Sequence, residues 1–189
     1  MHPLDKFLFC PVCGSKAFGI HNFKSKQCAH CGFTYYANPC SATAAFIVDD
    51  TGRLLVARRG KEPAKGTLDL PGGFVDMGET AEEGMRREIM EETGIAAGEV
   101  RYLFSIPNDY VYSDMTIYTL DMFFEVHVSH DVKIEAADDA AALQWLPLSQ
   151  VDPDLFGLHS IRQGVIRYLS KRQEQDGGNQ YRLSHCISP

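Results

Sequence analysis

The sequence predicts an α/β fold in which a mixed β-sheet lies between helices, with a small cysteine-rich segment in front of it. Three observations support this prediction: short apolar runs separated by turn residues, one helix with a clear beginning and end, and two pairs of closely spaced cysteines near the N-terminus. Strands followed by a helix, further strands and a final helix are typical of a sheet covered on both faces. The predicted boundaries are 1–38 for the cysteine-rich segment, 39–172 for the main domain and 173–189 for a polar C-terminal tail.

Composition and charge narrow the possible functions. The chain has 189 residues, of which 44% are hydrophobic and 23% are charged, and these values are ordinary for a soluble globular protein. The net charge of -7 argues against sequence-independent binding of nucleic acid, which needs concentrated lysine and arginine. Anionic small molecules stay possible as substrates, because bound cations can neutralise phosphate locally.

The first residues do not resemble a secretory signal, because no basic start precedes an apolar core there. An apolar run of about 18 residues, the length needed to span a membrane, is also missing from the sequence. We therefore expect a cytoplasmic protein. In a reducing compartment, its six cysteines are better explained as metal ligands and free thiols than as disulfides.

Four of the cysteines form two Cys-x-x-Cys pairs, with fourteen residues between the pairs: Cys10, Cys13, Cys28 and Cys31. Each pair can present two thiolates from one tight turn, and two such turns complete a tetrahedral Zn²⁺ site. With four protein ligands the ion would have no open position, so its role would be structural. His21 and His30 remain alternative ligands. The sequence thus predicts an N-terminal zinc ribbon.

The main domain begins with a predicted β-hairpin formed by the apolar runs 42–48 and 54–57. Arg58 and Arg59 follow its second strand. A pair of solvated arginines is the ordinary interpretation, but either guanidinium can also reach a substrate phosphate, and Arg58 is our first candidate. A further strand over 67–70 leads into the glycine loop Leu70-Pro-Gly-Gly-Phe74.

The helix after this loop is the most informative part of the chain. Thr80 and Glu83 have the spacing of a capping box, and Gly94 stands where a helix commonly ends. At about 100° per residue, three carboxylates project within an arc of roughly 100° of one another: Glu88, Glu91 and Glu92. A solvated acidic face is the simplest interpretation, but the two glycines in front of the helix favour a site for hard cations.

The loop and helix resemble the signature of the Nudix hydrolases at every specified position: Gly73, Glu79, Arg87, Glu88, Ile89, Glu91, Glu92, Gly94 and Ile95. The resemblance covers roughly residues 41–172. It implies a Nudix-type α/β/α sandwich with a mixed sheet, here preceded by the small zinc ribbon. It also implies Mg²⁺- or Mn²⁺-dependent hydrolysis of a pyrophosphate bond, with a small nucleoside diphosphate derivative as the partner and a homodimer as a possible assembly.

The resemblance also implies individual roles. Glu88, Glu91 and Glu92, together with the carbonyl of Gly72, would hold the catalytic ions. Glu79 and Arg87 would pair and keep the loop and helix in shape. Glu91 is the first candidate for the general base and Asp139 is the second, since related enzymes carry an acidic residue in the corresponding loop.

Beyond the acidic helix, the pattern predicts a strand over 101–105 that breaks at Pro107, a longer strand over 115–128 and a closing helix over 159–172. Asp121 and Glu125 alternate with apolar residues in the longer strand and are expected to face solvent. Tyr110 and Tyr112 are candidates for stacking on a substrate base.

A zinc ribbon that leads directly into a Nudix domain most resembles the NADH pyrophosphatase branch. That branch carries Ser-Gln-Pro-Trp where this chain has Ser105-Ile-Pro-Asn108, so the glutamine and tryptophan are absent. NADH and ADP-ribose-like conjugates are therefore equally open as substrates. The alternative function is a ligand-sensing regulator or binding module that has lost turnover.

Overall fold

The computed structural model of the protein describes residues 2–112, 115–135 and 142–183. The N-terminal part contains the strands β1 (Phe18–Asn22), β2 (Ser25–Cys28) and β3 (Thr34–Tyr36), which pair as an antiparallel sheet in the order β1-β2-β3. Its small core consists of Cys10, Phe18 and Cys28, packed against Phe33. So few buried residues cannot hold a fold by apolar burial alone, as expected for a metal-stabilised ribbon.

The main domain is built on a six-stranded mixed sheet with the order β6-β5-β4-β8-β7, with β9 paired to β5. Its strands are β4 (Cys40–Asp49), β5 (Arg53–Arg58), β6 (Leu68–Asp69), β7 (Arg101–Tyr112), β8 (Met115–Val128) and β9 (Ala142–Pro147). The central strands β4 and β8 are parallel, whereas the other pairs are antiparallel. The predicted mixed sheet is confirmed.

Two helices cover the opposite faces of this sheet. Helix α1 (Ala81–Thr93) buries Met85 and Ile89 against one face, and helix α2 (His159–Leu183) buries Ile161, Val165 and Tyr168 against the other. Alternate residues of β4 enter the two cores, because successive side chains of a strand point to opposite faces. The arrangement is the predicted α/β/α sandwich.

The glycine loop takes the place of a strand beside the first half of β4. Strands β4 and β5 share one register pair, Val48 opposite Leu54. Nearer the start of β4, the amide of Thr43 donates to the carbonyl of Gly73 at 2.8 Å and the amide of Ala45 donates to that of Pro71 at 2.8 Å. The loop is therefore held at the sheet edge by backbone hydrogen bonds.

The sequence predicts that β7 breaks at Pro107, but the strand continues to Tyr112. Pro107 lies opposite Leu120 within the antiparallel pairing with β8. β7 is an edge strand and pairs on one side, so a residue without an N–H group is tolerated there. The prediction was wrong because edge position cannot be read from local sequence.

The expectation that Asp121 and Glu125 face solvent was also wrong, since they are 7% and 5% exposed. Helix α2 covers their face of β8 and supplies hydroxyl partners to both carboxylates. Helix α2 itself continues past Arg172, its predicted end, to Leu183. Within the part of the chain that the structure describes, no helix is both long and apolar enough to span a membrane.

Candidate functional site

The four cysteines of the ribbon come together as a preformed ligand set. Their sulfur atoms all lie within 4.8 Å of one another, with 3.7 Å between the sulfurs of Cys10 and Cys31 and 3.7 Å between those of Cys13 and Cys28. Hydrogen bonds from the backbone amides of Cys31 and His30 outweigh the effect of burial and lower the pKa of Cys28 to about 6. Four sulfur donors this close together, one of them with a lowered pKa, fit Zn²⁺. Neither His21 nor His30 belongs to the set.

Local sequence positions the acidic helix as predicted. The hydroxyl of Thr80 accepts from the backbone amide of Glu83, and the Glu83 carboxylate accepts from the backbone amide of Thr80, so the capping box is confirmed. Gly94 ends the helix in the left-handed conformation, and its amide donates to the carbonyl of Met90. Both ends of α1 therefore follow from residues adjacent in the sequence.

Arg87 holds the loop and the helix together. Its guanidinium donates to Glu79 at 2.8 and 3.0 Å and to the carbonyl of Phe74 at 2.9 Å. It also donates to Glu88 at 2.8 Å and to Glu91 at 3.1 Å. Hydrogen bonds to the carboxylates of Glu79 and Glu88 raise the pKa of Arg87, and the bond to Arg87 lowers the pKa of Glu79. One cation thus ties together three carboxylates and the glycine loop.

Glu88 and Glu92 meet the glycine loop directly. The amide of Gly72 donates to the Glu92 carboxylate at 2.9 Å. The Glu88 carboxylate fills the space beside Gly73, because a Cβ atom on that glycine would lie 2.6 Å from the carboxyl carbon. Gly72 has a φ of 153°, and a Cβ there would lie 2.1 Å from the carbonyl oxygen of Thr43. Both loop glycines are required by close approach.

Burial dominates the ionisation of these two glutamates. Desolvation raises the pKa of Glu92 to about 7, against the lowering effect of the Gly72 amide. Desolvation also raises the pKa of Glu88, although Arg87 opposes it. A positive ion beside these carboxylates would favour their charged forms.

The chemistry of this donor set fits a divalent cation. Pro71 and Gly73 use their carbonyls in hydrogen bonds to β4, whereas the carbonyl of Gly72 accepts no hydrogen bond from the residues that the structure describes. Mg²⁺ is commonly held by one or two carboxylates together with water and substrate phosphates. Glu88, Glu92 and the Gly72 carbonyl can supply such a set.

Glu91 differs from its neighbours. Its side chain is 58% exposed, compared with 14% for Glu88. Among the described residues, the four cysteines form a cluster of potential metal ligands, whereas the three glutamates do not form one. The structure therefore brings Glu88 and Glu92 to the loop and leaves Glu91 on the solvent side.

A cleft opens beside the glycine loop, where β4 and β5 separate. It is lined by backbone and side chains from the loop, from the sheet and from the start of α2: Ala42, Thr43, Ala44, Arg59, Asp69, Leu70, Gly72, Gly73, Phe74, Asn108, Tyr110, Thr119, Asp121, Leu158 and Ile161. The rings of Phe74 and Tyr110 meet edge to face with centroids 6.2 Å apart. The cleft thus adjoins the acidic site through Gly72 and Gly73.

The predicted substrate residues have different positions relative to this cleft. Tyr110 lines it, whereas Arg58 donates to the carbonyl of Gly66 at 2.7 Å and is not among the lining residues. The side chain of Tyr112 and the whole of Asp139 lie outside the part that the structure describes.

Arg59, which the sequence offered beside Arg58, and Asp69, which the sequence reasoning missed, are further functional candidates. They form an ion pair in the cleft, and Arg59 also donates to the carbonyl of Pro63 at 2.7 Å. Burial raises the pKa of Asp69, while Arg59 lowers it. Ala57 lies opposite Asp69 in the pairing of β5 with β6, and Arg59 follows two residues after Ala57. Because side chains alternate along a strand, Arg59 and Asp69 are on the same face of this pair. This alternation was the signal that could have found them.

Fold and site together define a class of α/β/α proteins in which one helix holds carboxylates against a glycine loop that borders a cleft. Residues 38–169 match the family model described as NUDIX domain, and the chain belongs to the NUDIX family.

Comparisons with individual proteins agree with this assignment. The chain is 30% identical over 166 residues to the NAD-capped RNA hydrolase NudC of Haemophilus influenzae, covering 87% of this chain and 61% of that protein. It therefore spans about three fifths of the length of this curated relative. Among solved structures, the NUDIX hydrolase from Nitrosomonas europaea superposes with a TM-score of 0.67 at 20% identity, covering 88% of this chain and 92% of that one.

A second solved structure of the same fold contains a bound ligand. The NUDIX domain of Shewanella oneidensis NrtR, complexed with ADP ribose, superposes with a TM-score of 0.59 at 17% identity, covering 73% of this chain and 90% of that one. At these identities the two structural likenesses establish the fold.

Proposed function

We propose that this protein is a Mg²⁺- or Mn²⁺-dependent hydrolase that cleaves the pyrophosphate bond of a nucleoside diphosphate linked to a second moiety, such as NADH or an ADP-ribose-like conjugate. The observation that carries the proposal is the junction at Gly72 and Gly73. There the cleft meets the carboxylates of Glu92 and Glu88 through a hydrogen bond of 2.9 Å and a contact that leaves no room for a Cβ atom.

In this proposal Glu88, Glu92 and the carbonyl of Gly72 hold the divalent ions, with Glu91 as an additional ligand from the solvent side. Bound ions would offset the charge of the diphosphate and make water a better nucleophile. The burial of Glu88 and Glu92 strengthens their interaction with positive charge, because the surrounding protein screens it less than water does. Arg87 keeps the Glu88 carboxylate beside the loop, the Gly72 amide holds that of Glu92, and Glu79 keeps Arg87 in place.

Other chain groups orient the substrate. The Arg59 guanidinium lines the cleft and, rather than Arg58, is the cation placed to contact a phosphate, since its Nη2 atom makes no hydrogen bond within the described residues. Phe74 and Tyr110 offer aromatic surface for a base. Glu91 is the first candidate to accept a proton from the attacking water, because it is the most exposed of the three glutamates, and Asp139 is the second.

The ribbon has a structural role in this proposal. Its four cysteines would hold one Zn²⁺ ion with no open position, so the ion would stabilise β1 to β3 and take no part in hydrolysis.

The test of turnover is Glu92→Gln. We expect Mg²⁺-dependent hydrolysis to fall by about a hundredfold or more, because the amide cannot replace a charged ligand, while the fold is kept. Glu82→Gln is the matched control: Glu82 is an exposed glutamate in the first turn of the same helix, and its variant should keep full activity. Unchanged turnover in Glu92→Gln would contradict the proposal.

The substrate is tested with a panel of diphosphate conjugates. Purified protein with Mg²⁺ or Mn²⁺ is offered NADH, ADP-ribose and an NAD-capped RNA, the last because the relatives carry that name, and the products are identified by mass spectrometry. The net charge of -7 favours the two small molecules over the RNA. Release of a nucleoside monophosphate from a small conjugate supports the proposal, and inertness toward all three contradicts it.

A second candidate function is ligand sensing without turnover. It is favoured by the likeness to the NrtR domain, whose structure contains ADP ribose. The two functions differ in one measurement: a sensor binds ADP-ribose with Mg²⁺ present and returns it intact after prolonged incubation, whereas a hydrolase converts it.

A further inference from the structure

Asp121 is a buried carboxylate on the wall of the cleft. It lies in β8, is 7% exposed and lines the cleft together with Thr119, Asn108 and Tyr110. Its two oxygens each accept one hydroxyl: Thr119 donates to Oδ1 at 2.6 Å and Ser160 of α2 donates to Oδ2 at 2.5 Å. Both hydroxyl groups belong to buried residues, so they hold the carboxylate in one orientation.

The partners of Asp121 are unusual for a buried carboxylate. Within the described parts of the chain, no lysine, arginine or histidine pairs with it. Asp69 in the same cleft pairs with Arg59. Glu125 lies further along the same face of β8. It pairs with Arg101 and Arg172 and accepts a hydrogen bond from the Tyr168 hydroxyl at 2.6 Å. Asp121 alone of these three depends on neutral donors.

A carboxylate offers about four acceptor positions, and the two hydroxyls occupy about two of them. Buried polar groups are stabilised by further donors, and the cleft is the side from which a ligand can bring them. Asp121 would repel a phosphate, so the diphosphate belongs beside Arg59 and the glycine loop rather than against Asp121. The part of the cleft wall at Asp121 suits a neutral group that carries N–H donors.

We propose that Asp121 is a specificity-determining residue, which accepts a hydrogen bond from the amino or carboxamide N–H of the substrate's terminal base. The inference deepens the proposed function and rests on it for the orientation of the substrate. Two halves of a dinucleotide carry such a donor: the 6-amino group of adenine and the carboxamide of nicotinamide. The same chemistry recognises either group, and the experiment separates them.

The experiment measures binding of mononucleotides by calorimetry without added divalent ion, so it does not depend on hydrolysis. AMP is compared with purine riboside monophosphate, which lacks the 6-amino group. Nicotinamide mononucleotide is compared with nicotinic acid mononucleotide, in which a carboxylate replaces the carboxamide. In the unchanged protein we expect one of the two pairs to show a preference of about tenfold or more for the donor-bearing member, as for a hydrogen bond to a charged group.

Asp121→Asn should reduce this preference to within about threefold, because the amide presents an N–H group where the carboxylate presents an acceptor. Glu125→Gln is the matched control. It changes a carboxylate on the same strand and face that also bonds to a hydroxyl of α2 but lies outside the cleft. If Asp121 only ties β8 to α2, both variants should alter binding alike. A thermal unfolding scan of each variant shows that the fold is kept.

Where the AMP pair carries the preference, the kinetic counterpart uses ADP-ribose and its analogue without the 6-amino group. In Asp121→Asn the loss should appear mainly as a higher KM for ADP-ribose with a smaller change in kcat. The inference is overturned if the unchanged protein distinguishes neither pair, or if the preference persists in Asp121→Asn. A clear binding preference together with no hydrolysis of any conjugate would instead overturn the proposed function and leave the role of Asp121 standing.

Discussion

The two metal sites that the sequence predicts are built in different ways. The cysteines of the ribbon converge within 4.8 Å, because each pair comes from one tight turn. The glutamates of α1 are also close in sequence, yet they divide between two environments: Glu88 and Glu92 meet the glycine loop, while Glu91 is 58% exposed and bonded to Arg87. The first site is complete in its protein ligands, and the second has room for water and substrate.

This difference follows from the chemistry that each site is proposed to perform. A structural zinc site gains stability when the protein supplies all four ligands. A site for phosphate transfer must leave positions open, and Mg²⁺ retains several waters in any case. The acidic site also depends on contacts far apart in sequence, such as that between Gly72 and Glu92. The comparison predicts how strongly each site responds to a single substitution.

The largest effect is expected in the ribbon. Cys28→Ser removes a buried ligand, and since structural zinc in small domains contributes about 10–16 kcal/mol of binding free energy, we expect zinc content to fall from about one ion per chain and β1 to β3 to lose protection. The measurements are elemental analysis after gel filtration and amide hydrogen exchange. Cys40→Ser is the control, because Cys40 is exposed and lies outside the cluster. Protected strands in a zinc-free protein would contradict the ribbon assignment.

A substitution in the glycine loop should affect ion binding rather than folding. In Gly73→Ala the new Cβ would lie 2.6 Å from the carboxyl carbon of Glu88, which must move away. We expect the Mg²⁺ concentration for half-maximal hydrolysis to rise by about tenfold to a hundredfold, with little change in Tm, because the displaced atoms end a flexible side chain. The measurement is a Mg²⁺ titration of the initial rate.

Gly98→Ala is the matched control for this prediction, because no atom lies within 4 Å of the Cβ that it would add. It should leave the Mg²⁺ titration unchanged. Equal Mg²⁺ requirements in Gly73→Ala and the unchanged protein would show that Glu88 is not an ion ligand.

The smallest effect is expected at Asp49 and its partners Thr51 and Arg53. These residues are close together in the sequence, like the two cysteines of each pair in the ribbon. Burial opposes ionisation of Asp49, but hydrogen bonds from Thr51 and Arg53 lower its pKa to about 2. A folded-state pKa below the unfolded value of about 3.9 stabilises the protein above about pH 4, and this contribution is lost as the pH falls through about 2. The Tm difference between the protein and Asp49→Asn should therefore narrow from pH 4 to pH 2.

This prediction is checked by thermal unfolding scans at several pH values. A Tm difference that stays constant across the interval would mean that the Thr51 and Arg53 contacts do not stabilise the charged form of Asp49.

Local patterns account for what the sequence analysis predicted correctly. The caps of α1 depend on Thr80, Glu83 and Gly94, which lie within or beside the helix. The cysteine cluster depends on the spacing within each pair. The acidic face of α1 depends on the helical repeat, which has a constant period.

The errors share another origin. Pro107 is tolerated because β7 is at the sheet edge, and Asp121 and Glu125 are buried because α2 packs on their face of β8. Between Arg58 and Arg59 the sequence left the choice open, and it is Arg59 that lines the cleft and pairs with Asp69 across the β5–β6 hairpin. Each of these facts concerns a partner distant in sequence.

The order of amino acids was sufficient to indicate an α/β/α domain behind a four-cysteine ribbon, and to point to one acidic helix after a glycine loop. Packing decided the rest: which glutamates meet the loop, where the cleft opens and which buried carboxylate borders it. The physical reason is that turns, caps and helical faces are set by interactions over a few residues, whereas burial and charge pairing depend on which distant segments the fold brings into contact.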